Sequence, residues 1–178
     1  MNEKLDSRVL KHFGPSVLKV TIPQNIVDTI NHYIDEIIID KKKAKGLDAG
    51  NNLVGDVTQE FNLEHEFIKK SGWGIFLASC VSKWIEFETK KKVKKFEMLN
   101  SWVVRQFANE YNPTHWHSGH ISGAGFLKVP STFGKHTQEK IETDYKGGNL
   151  QLIHGARMFL CKSTFNILPK VGEFYFFP

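Results

Sequence analysis

The sequence predicts an α+β fold in which helices pack on the outside of an antiparallel β-barrel or jelly roll. Two observations carry this. Apolar residues recur at steps of three and four before residue 95 and in short, alternating runs after it. The strand candidates after residue 95 are short and evenly spaced, which argues for a barrel or sandwich rather than alternating βαβ units. At 178 residues the chain is read as a single domain, with a mainly helical layer over 1–95 and a β core over 96–178. Its 14 Phe, 4 Trp and 4 Tyr supply enough bulky surface for a core of that size.

Taken in order, Ser16 to Ile22 roughly alternates apolar and polar and is read as a strand. Pro23 suits a first helical turn. Ile26, Val27, Ile30, Ile34, Ile37 and Ile38 then draw one stripe along a helix of about 20 residues ending before Lys42. The glycines and asparagines between Gly46 and Asp56 mark a loop. A second helix fits Gly74 to about Lys91, with Leu77, Cys80, Val81, Trp84 and Phe87 inward. Strand candidates follow at Trp102–Phe107, His120–Leu127, Asn149–Ile153, Arg157–Cys161, Thr164–Leu168 and Glu173–Phe177. The polar stretch from Pro130 to Gly147 is long for a compact domain and is read either as a lid or as a plain surface loop.

Composition excludes several classes. No apolar run approaches the roughly 20 residues that span a bilayer, so no membrane partner is expected. The N-terminus is charged and lacks an apolar signal core. Two cysteines, Cys80 and Cys161, cannot build a disulfide framework, which points to a reducing, cytoplasmic setting. The net charge of +5 sits largely in Lys41–Lys45 and Lys90–Lys95, at or just past predicted helix ends. There lysines complement the helix dipole. The competing reading, a phosphate-binding patch, is weakened because neither run is interleaved with aromatics for base stacking, so a nucleic-acid partner is not expected.

The chemistry concentrates in Asn112-Pro113-Thr114-His115-Trp116-His117. On an extended strand, side chains two apart share a face, so His115 and His117 would point the same way and could converge on one metal ion. Spacing alone leaves a second reading, a pair of partly exposed strand histidines with no ligand. His120 falls outside the alternation. His136 and His154 add no pattern, and neither do His12, His32 and His65.

These residues also carry a resemblance. Residues 101–130 and 148–178 resemble the catalytic half of the iron(II)/2-oxoglutarate-dependent oxygenases, most closely a small group found in phages and marine bacteria. Trp102 with Gln106 resembles the strand before the metal motif. Asn112 to His117 resembles its N-P-x-H-x-H entry. Ile121 to Pro130 resembles the following S-G-x-x-Y-L-x-x-P strand, with Phe126 where Tyr is common. Gly148 to Leu152 and Leu168 to Pro178 resemble G-x-L-x-F … P-x-x-G-D-x-x-x-F-P. Leu53-Val54-Gly55 matches the helical layer less specifically.

The resemblance implies a double-stranded β-helix holding Fe(II), with 2-oxoglutarate as co-substrate. It would couple decarboxylation to succinate to hydroxylation of a C–H bond on an unidentified small molecule or peptide. By the same resemblance His115 is the first metal ligand, and His117 stands where most relatives carry an aspartate. Gln106 and Ser122 are candidate hydrogen-bond partners of 2-oxoglutarate, and Trp116 and Phe126 either wall the pocket or pack the core. The resemblance places the distal His and an Arg or Lys beyond Pro178, which leads us to expect a longer reading frame. An open sheet edge at Gly172 to Phe177 would favour pairing of two copies. The rival to the enzyme reading is an inactive or non-enzymatic jelly-roll binding module.

Overall fold

A computed structural model describes residues 6–10, 14–50, 54–131, 133, 147–156, 159 and 162–178. Most of the candidate lid and the Arg157–Cys161 strand candidate lie outside these residues, as does His136. The fold is α+β with several antiparallel ladders. The chain forms two compact units, residues 23–122 and residues 1–22 with 123–178.

In the unit of residues 23–122, helix α1 (Gln24–Ile39) follows Pro23 and buries Ile26, Val27, Ile30, Tyr33, Ile34 and Ile37. The stripe read from the sequence is this face. The helix stops at Asp40, whose Oδ1 accepts from the backbone N–H groups of Lys42 and Lys43 at 2.9 and 3.0 Å. That cap starts a second helix, α2 (Lys41–Leu47). Lys41 to Lys43 thus lie just past the end of α1, as expected, but they also open α2, where only Lys45 sits in the last turn. Strand β3 (Gln59–Asn62) and helix α3 (His65–Lys70) follow, neither of which the sequence signalled.

Helix α4 (Trp73–Thr89) buries Trp73, Phe76, Leu77, Cys80, Val81 and Trp84, while Phe87 is exposed. Burial pushes the Cys80 thiol up to about 11, so it behaves as packing rather than as a nucleophile. Lys90 closes α4 with φ 60°, and its Nζ donates to the Phe87 carbonyl at 2.8 Å. Strand β4 (Trp102–Arg105) pairs antiparallel with β3. Among the described residues no helix is long and apolar enough to cross a membrane.

In the other unit, β1 (Ser7–Leu10), β2 (Val17–Thr21), β5 (Ser122–Gly125) and β8 (Glu173–Phe177) form one sheet in the order β1-β2-β8-β5, so β8 has a neighbour on each side and the open edge expected at Gly172 to Phe177 is not there. Strands β6 (Leu150–Ile153) and β7 (Thr164–Ile167) form an antiparallel pair. Val17, Ile167 and Tyr175 make a buried cluster, with Leu10, Phe126, Leu150, Leu152, Phe165 and Phe177 against it. The cluster draws on both sheets. Beside it, Lys19 Nζ donates to Glu173 Oε1 at 2.5 Å and the Tyr175 hydroxyl donates to Glu173 Oε2 at 2.7 Å.

Gly123 and Gly125 let β5 approach β8. A Cβ at Gly125 would meet the Phe174 ring, stand 2.7 Å from the Glu173 carbonyl oxygen and 3.0 Å from Phe174 Cα. Backbone cannot step aside cheaply, so Gly125→Ala is expected to cost about 2 kcal/mol of unfolding free energy. Urea denaturation checks this, and wild-type stability would refute it.

Burial pushes the Glu173 carboxyl up, but the hydrogen bonds from Lys19 and Tyr175 and the charges of Lys19 and Lys170 outweigh it and hold the group below its ordinary 4.5. A carboxyl depressed in the folded state stabilises above its unfolded pKa, and that contribution is lost as pH falls through the folded value. Glu173→Gln is therefore expected to lose about 1 kcal/mol near neutral pH. Its gap to wild type should close as the pH drops below 4.5. A gap that stays constant down the acid limb would count against the assignment.

Candidate metal centre

After β4 the chain turns at Asn109, with φ 70°, and the Glu110 carboxylate secures the turn. It accepts from the Phe107 N–H at 2.8 Å and from the Thr58 hydroxyl at 2.7 Å. Gln106 is exposed, and its Nε2 donates to the Glu110 carbonyl at 2.6 Å. Its amide thus serves this turn. Tyr111 bridges to Asp56 through backbone hydrogen bonds of 2.9 and 3.3 Å, which fixes the entry to the next segment.

Residues 112–121 then run as irregular, mostly exposed chain, not as the strand expected there. The reason is local: Pro113 has no N–H for a ladder and Gly119 adopts φ 95°. Strand β5 begins only at Ser122, which is half-buried. Even without a strand, His115 and His117 stand together. Their rings are stacked with centroids 4.8 Å apart and planes inclined by 22°. The His117 ring in turn lies 6.3 Å from that of Trp102, at 25°. Trp102, His117 and His115 form a short ladder of rings, and Trp116 between the two histidines is 99% exposed.

His115 Nδ1 lies 2.7 Å from the Pro113 carbonyl oxygen. A carbonyl only accepts, so Nδ1 carries the proton and Nε2 keeps its lone pair for a ligand. Burial, with the charge of His115 second, holds His117 below its ordinary 6.5. A neutral imidazole is the form that binds a metal.

Glu60 on β3 was not signalled by the sequence. It is 3% exposed, and its Oε1 is buried with no hydrogen-bond partner among the described residues. Burial and the Asp48 carboxylate push its carboxyl up, while the charge of His115 pulls it down. A lone glutamate in a strand reads as a surface residue, and only the fold buries this one.

The donors present suit a divalent metal in kind: two adjacent imidazoles, one with a defined free nitrogen, and near them a carboxylate oxygen with nothing to bind. In number they fall short, because among the described residues no three His, Cys, Asp or Glu side chains are grouped closely enough to hold an ion.

In the metal-free protein the His117 ring is expected to titrate below 6.5 in proton NMR. His115→Ala should raise the midpoint but leave it depressed, because burial is the larger cause. A midpoint at or above 6.5 would contradict the partly desolvated, paired placement of the ring.

No curated protein and no solved structure gives a significant match to the chain. Residues 100–178 match the model of the family described as "Putative 2OG-Fe(II) oxygenase". The matched stretch holds β4, both histidines and strands β5 to β8. That stretch, somewhat less than half of the chain, is similar to the 2OG-Fe(II) oxygenase family, which implies Fe(II) and 2-oxoglutarate.

Proposed function

We propose that the protein is an iron(II)- and 2-oxoglutarate-dependent oxygenase with His115 and His117 at its metal. One observation carries this: the two imidazoles stand side by side within the family-matched stretch, and the Nε2 of His115 is left free by the Pro113 carbonyl. The double-stranded β-helix that goes with this activity is supported by the short strands β5 to β8 and by the cluster that draws on both sheets.

When bound, the iron supplies activation of oxygen with 2-oxoglutarate as the reductant, which is the cofactor's chemistry and not the protein's. The protein's part is to bind and to orient. Pro113 holds the His115 ring in one tautomer and one orientation. Trp102 supports the His117 ring from the other side of the pair. Two neutral imidazoles bring no negative charge to a doubly charged ion, so the anionic co-substrate, or a carboxylate from elsewhere in the chain, has to balance it. Ser122, at the start of β5, is assigned to the co-substrate as a hydrogen-bond partner. Gln106 can join it only by leaving the Glu110 carbonyl.

The test is succinate release from 2-oxoglutarate with Fe(II), ascorbate and oxygen. His115→Ala is expected to lower it by more than about 100-fold, because even groups that only orient a ligand are worth about 10–100-fold. Succinate formed at the wild-type rate by that variant, or none formed by the wild type, would end the reading.

A further inference from the structure

The chain from Lys91 to Asn100 links α4 to β4 without a turn or a bend. Both of its ends are fixed. The Lys90 N–H donates to the Glu86 carbonyl at 2.9 Å, and the Lys91 N–H donates to the Thr89 hydroxyl at 3.2 Å. At the far end the Ser101 carbonyl accepts from the Leu63 N–H at 2.9 Å, and the Ser101 hydroxyl accepts from Trp73 Nε1 at 3.1 Å. Between these ties the backbone N–H and C=O groups of residues 92–100 have no partner among the described residues. An exposed run of unpaired, extended backbone is a template for another extended chain.

The side chains along the run narrow the choice of that chain. Residues 90–100 carry five lysines and one acid, Glu97. None of the lysines lies in the last turn of α4, so complementing the helix dipole does not account for them. Lys90 Nζ is used on the Phe87 carbonyl, and Lys95 pairs with Glu97 at 3.1 Å. Lys91, Lys92 and Lys94 are exposed and have no acidic partner among the described residues. Phe96 and Leu99 are exposed among these charges, while Val93 and Met98 are half-buried. The run also ends close to the histidine pair. A Cβ on Gly119, two residues past His117, would stand 3.4 Å from Leu99 Cδ1.

We propose that residues 91–100 are a docking strap on which an acidic polypeptide segment lies as an added strand. The main chain of that segment pairs with the N–H and C=O groups of residues 92–100. Its carboxylates answer Lys91, Lys92 and Lys94, and its apolar side chains pack on Phe96 and Leu99. A nucleic acid suits the strap less well, because phosphates answer the lysines but leave the row of backbone donors and acceptors unused. A second copy of this chain brings the same lysines to the contact, and lysines along an edge oppose such self-pairing. The docking stands apart from the oxygenase reading, since nothing in it uses a metal or a co-substrate.

The test is fluorescence anisotropy with the full chain and a labelled peptide that alternates Glu with Val or Leu, about nine residues long to match residues 92–100. The peptide is expected to bind, and to bind more weakly as salt rises. A variant carrying both Lys92→Glu and Lys94→Glu should bind it at least about 10-fold more weakly. The same variant should melt at the wild-type temperature, because both side chains are exposed. Two further peptides, N-methylated at the odd or at the even residues, keep every charge and each lose the main-chain donors of one edge. One of the two should bind at least about 10-fold more weakly than the parent peptide. No binding of the parent peptide, or wild-type affinity in the double variant, would overturn the proposal. Parent-like affinity for both N-methylated peptides would overturn it as well, since charge alone would then hold them. An oligothymidylate that binds more tightly than the peptide would assign the strap to nucleic acid instead.

Discussion

Strand β2 pairs with β8, a strand that lies about 150 residues later, Leu18 against Phe176 and Thr21 against Glu173. The unit of residues 1–22 with 123–178 exists because of that pairing. It puts Val17 and Tyr175 into one cluster and Lys19 within reach of the Glu173 carboxylate. The loop-closure entropy of so distant a contact has to be offset by what the strands bury, and β8 is suited to it, with Phe174, Tyr175 and Phe176 all buried. Residues 23–122 are then an insertion between β2 and β5, the two strands that flank β8 in one sheet.

Within residues 23–122 the β3–β4 ladder has a similar role on a smaller scale. It sets which side chains share a face, and the ring ladder from Trp102 through His117 to His115 builds outward from that face. The imidazoles sit on irregular chain, so their order comes from stacking and from the Pro113 carbonyl rather than from a sheet. The pair is packed toward Trp102 and open toward solvent at Trp116.

Much of the local structure was legible in the sequence. The α1 stripe, the α4 stripe except Phe87, and strands β2, β6, β7 and β8 follow from apolar period and turn residues, which are short-range signals. The same-side placement of His115 and His117 was legible too, although its stated reason, a strand, was not what the structure contains. Strand β3 and helix α3 are too short for their period to register. The restart as α2 was missed because the Asp40 capping carboxylate looks in sequence like any surface acid.

By itself the sequence determined the helix faces, most of the strands and the histidine spacing, because each is written in residues a few positions apart. The tertiary structure alone decided the pairing of β2 with β8, the burial of Glu60 and the stacking of Trp102 on His117. Those depend on chain segments whose separation in sequence says nothing about their separation in space, and on a strand register that moves every side chain to the opposite face when it slips by one residue.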